Sequence, residues 1–470
     1  MAAFFETLQS ILSAAGASVV LPIVIFVLAL VLGAKPGRAF RAGVTVGIAF
    51  IGIGLVIGLM WTSLSNVSQA IVTKTGVQLD AVDVGWPTAA AIAFGSTVGT
   101  FIIPIAIAVN LILLAVGLTR TLNVDVWNFW HFAFVGALVY VITQNLVLSL
   151  FAAAVACALA LFFADWTAKA IQQFYGIPGV SITTASAQSF VPFVLPINWL
   201  LDRIPGVKDW KADPESIQKR FGVLGEPIIV GVVIGFVLGL IAYFPVAEGS
   251  TVTSAATSVL ATSMNLGAVM LLLPRMVQIL MEGLIPVSEA AREFMTKRTS
   301  KREIYIGLDA AILIGHPSAI ATGLLLVPIT ILLAIILPGN RMMPFADLAA
   351  IPFFVCMLAP ITRGNVVRMT ILGSLCAIAG LYMASWMAPI QTQAARLANI
   401  GLPEGATLIT NMGDGWTASA FYLTFPATLG GQLVQFIWLA LFLGLIIAGF
   451  IAFNKAEEKW SRLAGVSSAD

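Results

Sequence analysis

Only two histidines occur in this sequence, and one of them, His316, interrupts an apolar run in the turn-like string Gly315-His316-Pro317-Ser318. An imidazole both donates and accepts hydrogen bonds, which suits a hydroxyl-rich ligand, and it can take a proton from a hydroxyl that acts as a nucleophile. It can equally cap a broken helix end. His131 follows Trp130 at the start of another apolar run, where an interfacial anchor is expected.

Other polar side chains fall in similar breaks. Asp83, Trp86 and Ser96 lie within 83–97, and Asp309 precedes His316. Thr184 and Gln188 lie within 176–196, and Asn411, Asp414 and Trp416 within 401–426. Gln144-Asn145 and Arg363-Gly364-Asn365 stand at or near the ends of apolar runs, where an amide can bond a hydroxyl twice or cap an interrupted helix. Arg363 reads as close to the cytoplasmic face, where snorkelling alone accounts for it. Polar and ionisable groups inside apolar spans are costly, so function is their default reading. The candidate ligand-binding set is therefore Asp83, Trp86, Ser96, Gln144, Thr184, Gln188, Asp309, His316, Asn365 and Asp414, with His316 as a possible base. Hydroxyls, amides and a nearby Trp resemble a carbohydrate-type site. No Walker loop, zinc motif or Cys/His cluster accompanies them, and no cofactor, metal or nucleic acid is expected.

The elements that must position these groups are membrane helices. Apolar residues make up 59% of the 470 positions and charged residues 10%, against about 25% charged in soluble chains. Runs of roughly 18 or more apolar residues recur from end to end, long enough to cross a hydrocarbon core of about 30 Å. Glycine and proline fall within and beside them, as membrane helices tolerate. The N-terminus lacks a basic n-region, so the first apolar run reads as a retained helix. Cys157, Cys356 and Cys376 lie in apolar stretches without CxxC spacing and read as buried free thiols.

The segments 85–99, 176–196, 307–323 and 401–426 are apolar but broken by Gly, Pro and polar residues. They read as re-entrant hairpins lining a cavity, or else as kinked transmembrane helices. More amphipathic stretches precede them at 62–80, 166–175, 284–304 and 387–399, suited to the membrane interface.

Basic residues set the orientation. Lys35, Arg38 and Arg41 follow the first apolar run; Arg203, Lys208, Lys211, Lys219 and Arg220 occupy 202–221; Arg292, Lys297, Arg298, Lys301 and Arg302 occupy 292–303; Lys455, Lys459 and Arg462 end the chain. Keeping all of these cytoplasmic puts the N-terminus outside and the C-terminus inside, with about eleven crossings.

The two halves align on one another. Ala90-Ala91-Ile92-Ala93-Phe94-Gly95-Ser96 matches Ala310-Ala311-Ile312-Leu313-Ile314-Gly315-His316, Ile142-Thr143-Gln144-Asn145 matches Ile361-Thr362-Arg363-Gly364-Asn365, and Trp166 falls against Trp386. An odd number of spans per half, about five, makes the repeat inverted, as in alternating-access transporters. The expected fold is an all-α polytopic membrane protein. Its divisions are a first repeat at 1–200, a cytoplasmic connector at 201–221, a second repeat at 222–430, and a terminal span with its tail at 431–470.

Asp83-Val84-Gly85-Trp86-Pro87, Gly283-Leu284-Ile285-Pro286-Val287-Ser288-Glu289-Ala290-Ala291 and Gly315-His316-Pro317-Ser318, in that order, give the chain its family likeness. It resembles the galactitol-type IIC component of the bacterial phosphoenolpyruvate-dependent sugar phosphotransferase system, within the ascorbate-galactitol superfamily. The resemblance implies a homodimer in the inner membrane, with a gate-like domain from spans one, two, six and seven and a moving core from the others. It further implies that a polyol, galactitol first, is bound outside and carried inward to a separate IIB protein, which is charged by IIA and donates the phosphoryl group from a cysteine. No IIB or IIA domain is present in the sequence. The segments 202–221 and 292–303 are either docking surfaces for IIB or topology-setting loops. An ion-coupled secondary transporter of a small polar solute is the alternative function, and a membrane-embedded enzyme a weaker one.

Overall fold

The computed structural model describes residues 17–31, 33–75, 79–205, 212–221, 226–246, 249–298, 303–344, 346–403 and 406–466. Lys208, Lys211, Lys301 and Arg302 lie outside the described residues.

Six helices among the described residues are long and apolar enough to cross a membrane: Pro36–Ile71, Leu146–Tyr175, Val252–Met276, Pro317–Ile336, Val366–Leu397 and Ala418–Lys455. The pair Gly85–Gly95 and Gly99–Ala115 makes a seventh candidate, bent by 89° at its break. Four further apolar helices, Ala17–Val31, Trp130–Thr143, Val191–Leu201 and Pro227–Tyr243, are shorter. The chain is thus a polytopic helical membrane protein. Leu55, Leu441 and Leu445 are each more than 60% exposed on these helices, as lipid-facing side chains would be.

The expected interfacial stretches are not separate elements. Residues 62–75 continue the 40-residue helix Pro36–Thr75, 166–175 end Leu146–Tyr175, 284–298 end the 47-residue Val252–Arg298, and 387–397 end Val366–Leu397. A 40-residue helix is about 60 Å long, twice the hydrocarbon thickness, so its more polar end runs on past the apolar layer without a break.

Local sequence explains where the helices start and stop. Asn145 and Asn365 occupy equivalent N-caps, their side chains accepting from the backbone N–H of Leu148 and Arg368 at 3.0 Å each. The residue closing the helix before each is left-handed, Gln144 at φ 52° and Arg363 at φ 54°. In the final helix Gly430 and Gly431 break the helical backbone.

Ala17–Val31, Pro36–Thr75, Pro227–Tyr243 and Val252–Arg298 pack on one another. Glycines at every fourth position make the contact between the last two intimate. A Cβ would stand 2.8 Å from Leu266 O at Gly231, 2.7 Å from Ser263 Cα at Gly235 and 2.8 Å from Val259 Cα at Gly239. Small residues on one helix stripe are how membrane helices approach backbone to backbone.

One feature departs from an all-α reading. Six short strands occur among the described residues: β1 (Ala81–Asp83), β2 (Thr121–Asn123), β3 (Val180–Ile182), β4 (Tyr305–Leu308), β5 (Met342–Met343) and β6 (Leu408–Thr410). They form two parallel three-stranded sheets, β5-β1-β6 and β2-β4-β3. Ala81 pairs with Met342 and Leu408, and Ile306 with Leu122 and Val180. In each sheet the central strand comes from one half of the chain and both flanking strands from the other. Backbone that leaves helical geometry inside an apolar body must pair its N–H and C=O groups, and these ladders do so.

Candidate functional site

The polar groups collect where the strands end. At the end of β1, Asp83 accepts from Gly85 N at 3.1 Å through Oδ1 and from Ala346 N at 3.0 Å through Oδ2. Gly85 turns the chain at φ 73°, and a Cβ there would lie 2.9 Å from that of Ala346, so only glycine fits. Asp347, just past β5, accepts from Trp86 N at 2.9 Å and Gly413 N at 2.8 Å. Past β6, Asn411 caps the short helix Met412–Trp416, accepting from Asp414 N through Oδ1 and donating to Asp414 Oδ2 through its amide. Asp83, Asp347 and Asp414 are all buried. Asp414 Oδ1 and Trp416 Nε1 have no hydrogen-bond partner among the described residues. Trp416 stacks on Phe354 with ring centroids 5.3 Å apart.

The second sheet ends in a matching arrangement. Asp309 follows β4 and accepts from Ala311 N at 3.0 Å and from the Thr184 hydroxyl at 3.3 Å. Thr184 in turn accepts from Ala310 N at 2.8 Å. Asn123, at the end of β2, accepts from Asp125 N at 3.0 Å and from the Thr183 hydroxyl at 3.1 Å. Asn128 donates to Asp125 at 2.7 Å. Below this layer Asp165 accepts from the Thr121 hydroxyl at 2.8 Å and from Arg120 N at 2.9 Å.

Polar breaks from the two halves of the chain meet. Ser189 and Ser419 lie 3.0 Å apart, oxygen to oxygen, and Phe190 packs edge-on against Trp416 at 5.8 Å. Gln188 is fully buried between them, its amide donating to Ile182 O while Oε1 has no partner among the described residues. Two buried acceptor oxygens and an indole N–H left open on adjoining breaks could receive the hydroxyls of a ligand.

The ten residues singled out from the sequence divide into groups. Asp83, Trp86 and Asp414 come together around Asp347; Thr184 meets Asp309 across the two halves, and Gln188 lies four residues past Thr184 beside the Ser189–Ser419 contact. Ser96 accepts from Gly99 N at 3.0 Å and donates to Ala93 O at 2.7 Å, bridging the 89° break. Gln144 is exposed and turns its amide back onto Tyr140 O and Val141 O, and Asn365 is an N-cap. His316 caps Pro317–Ile336, its Nδ1 accepting from Ser318 N at 3.2 Å, with its ring 4.8 Å from that of Phe174 and 5.5 Å from that of Tyr175. His131 is a correction: it is 4% exposed, with Nδ1 3.1 Å from Asn128 O, so it is a buried helix-start residue rather than an interfacial anchor. Asp347 was missed. Its only sequence signal is a carboxylate in an apolar context shortly after Pro344, the same signal that singled out Asp83.

The three cysteines are free and buried, as expected. Among the described residues, no group of three or more His, Cys, Asp or Glu side chains is placed to hold a metal ion.

Ion pairs tie segments that are distant in sequence. Arg341 Nε donates to Asp80 Oδ2 at 3.1 Å, and the guanidinium holds that carboxyl below its ordinary range. Elsewhere Glu457 is clasped by Arg120 and Lys169, each at 2.7 Å. Burial raises the Glu457 carboxyl, but Lys169 and Arg120 more than offset this and leave it below the usual glutamate range. Trp166 Nε1 donates to Trp460 O at 2.9 Å, fixing the tail helix Glu457–Leu463 to Leu146–Tyr175.

Comparison with known proteins places residues 10–405 under a family model described as "EIIC-GAT: PTS system sugar-specific permease component". A protein of Escherichia coli (strain K12) named as a permease IIC component is 40% identical over 380 residues, covering 81% of this chain and 85% of that protein. The galactitol-specific EIIC component of the same organism is 34% identical over 462 residues, 98% of this chain and 97% of the relative. The galactitol-specific EIIC component of Escherichia coli O157:H7 matches to the same extent.

Proposed function

Because the chain belongs to the EIIC-GAT family of sugar-specific permease components of the phosphotransferase system, we propose that it is the membrane-translocating IIC subunit for a galactitol-like polyol. It binds the polyol on one side of the membrane and presents it on the other to a separate IIB protein. It is a transport subunit and does no phosphoryl chemistry without IIB. The observation that carries this reading is the meeting of two polar breaks, one from each half of the chain, at Ser189 and Ser419 inside an otherwise apolar helical body. Unfilled acceptors on Gln188 and Asp414 beside that contact suit a ligand rich in hydroxyl donors.

The inverted repeat is part of the proposal. It is supported by the two sheets, whose orders β5-β1-β6 and β2-β4-β3 are the same arrangement with the halves exchanged. It is supported again by the paired corners Gln144-Asn145 and Arg363-Asn365. The gate is assigned to the mutually packed helices Ala17–Val31, Pro36–Thr75, Pro227–Tyr243 and Val252–Arg298, and the moving core to the sheets and hairpins. About eleven crossings, an outside N-terminus, a cytoplasmic C-terminus, an inner-membrane homodimer and the divisions at 200, 221 and 430 complete the proposal, and the basic loops support the orientation. Ligand contact is assigned to Trp86, Thr184, Gln188 and Asp414, and the helix breaks at Ser96 and His316 frame the site.

Membrane vesicles supply the test. With phosphorylated IIB present, the polyol should accumulate as its phosphate, and no uptake should follow from an ion gradient alone. Gradient-driven uptake of unmodified polyol would make the chain an ion-coupled transporter instead.

A further inference from the structure

The two left-handed corners have the same backbone and opposite chemistry. Gln144 is neutral and occupied with its own helix end, whereas Arg363 is an exposed cation that makes no ion pair among the described residues. Non-glycine residues at positive φ are uncommon and often mark functional positions. The surroundings hold the Arg363 corner rigidly. Gly364 N donates to Ala359 O at 2.8 Å, Val366 N to Ala212 O of the connector at 2.9 Å, and Asn198 to Ile361 O at 3.2 Å. Arg368 pairs with Asp202. The tail passes so near that a Cβ on Gly465 would stand 2.5 Å from Pro360 O. The corner therefore lies on the face formed by the connector and the C-terminal tail, the face the proposed orientation puts in the cytoplasm.

The corner also borders the inward end of the core. Ser318 donates to Gly364 O at 2.8 Å, and Phe174 stands against both Gly364 and the His316 ring. Ser318 and Phe174 thus link the Arg363–Gly364 corner to the His316 break.

We propose that Arg363 is the docking residue for the phosphoryl group on the IIB cysteine. This rests on the phosphotransferase reading above. A guanidinium on a rigid backbone presents its fork to a phosphoryl dianion without first being ordered. In the transfer it serves, a polyol hydroxyl oxygen forms a bond to phosphorus as the sulfur–phosphorus bond breaks. The sulfur leaves with the electron pair, and the hydroxyl proton is balanced by protonation of the thiolate, giving polyol phosphate and free cysteine.

The test uses the full-length protein in vesicles with phosphorylated galactitol-type IIB, alongside galactitol calorimetry on the purified protein. Arg363→Gln, which copies the other corner, should raise the KM for phospho-IIB about ten-fold or more, with galactitol affinity unchanged within about two-fold. Arg363→Lys should recover much of the loss. The wild-type KM should rise with salt and that of Arg363→Gln much less. An unchanged KM for phospho-IIB in Arg363→Gln overturns the proposal, as does a loss of galactitol affinity that parallels the loss of transfer. If the unmutated protein transfers nothing from phospho-IIB, the functional reading itself has failed, and the proposal falls with it.

Discussion

Asp83 and Asp347 exchange backbone partners across the two halves of the chain. Asp83 takes the N–H of Ala346, next to Asp347, and Asp347 takes the N–H of Trp86, three residues past Asp83. Each carboxylate also holds a second N–H, of Gly85 and of Gly413. The pair is a reciprocal staple fixing the ends of β1 and β5 and the start of the short helix Met412–Trp416 relative to one another.

Removing one arm should therefore cost stability before it costs ligand contact. Asp347→Ala leaves the buried Gly413 N–H unpaired, at about 1–3 kcal/mol, and the half-buried Trp86 N–H unpaired at a smaller cost. Thermal unfolding in detergent should show a lower midpoint for Asp347→Ala and for Asp83→Ala. The double variant should fall short of their sum by about 0.5–3 kcal/mol. Strict additivity would mean that the two carboxylates act independently.

Asp414 should behave in the opposite way. Its Oδ1 is fully buried and unpartnered among the described residues, a cost the ligand-free protein bears. Asp414→Asn keeps the shape and removes an acceptor, so galactitol affinity should drop about ten-fold or more, roughly 1.4 kcal/mol, with little change in unfolding midpoint. Calorimetry on the folded variant decides this, and wild-type affinity would assign Asp414 to the hairpin scaffold alone.

Gly307 tests whether the sheet leading to Asp309 tolerates overpacking. A Cβ there would stand 2.8 Å from the methyl groups of both Thr121 and Thr183. Gly307→Ala should destabilise the protein by about 1–3 kcal/mol, as overpacking does. Adding Thr121→Ser and Thr183→Ser, which remove the two methyls, should recover part of it. No recovery would show that strand backbone, not these side chains, sets the limit.

The sequence carried the long apolar helices because apolar runs and their Gly/Pro interruptions are long-range, high-contrast signals. It brought Asp83 and Asp414 into view for the same reason, since a carboxylate stands out in an apolar run. The strands were invisible. A two- to four-residue strand such as Met342–Met343 shows no period-two alternation when everything around it is apolar. Without the strands, nothing linked Asp83 to Asp347. Ser96, Gln144, Asn365 and His316 were read as possible ligand contacts, and the same hydrogen-bonding capacity that suggested this lets them cap helices. Residue type cannot separate the two roles, because both ask for the same donors and acceptors. The interfacial stretches merged into their helices because amphipathic character marks where a helix leaves the apolar layer, not where it ends.

The tail clasp gives a pH prediction whose sign follows from the shift. Glu457 is held below the ordinary glutamate value, because Arg120 and Lys169 together outweigh the effect of burial. Its contribution is therefore fully present above the unfolded value, about 4.3, and is lost as pH falls through the lower folded value. Solvent at the site screens the pair, so the effect is local to the tail and not a global loss of stability. Amide hydrogen exchange of residues 457–463, corrected for the intrinsic rate at each pH, should show protection that is steady from neutral pH to about 5 and falls below about 4. Glu457→Gln should show the low protection at every pH while the exchange of Leu146–Tyr175 stays as in the wild type. A wild-type tail whose protection is flat down to pH 3 would mean that Trp166, bonded to Trp460 O, anchors the helix unaided.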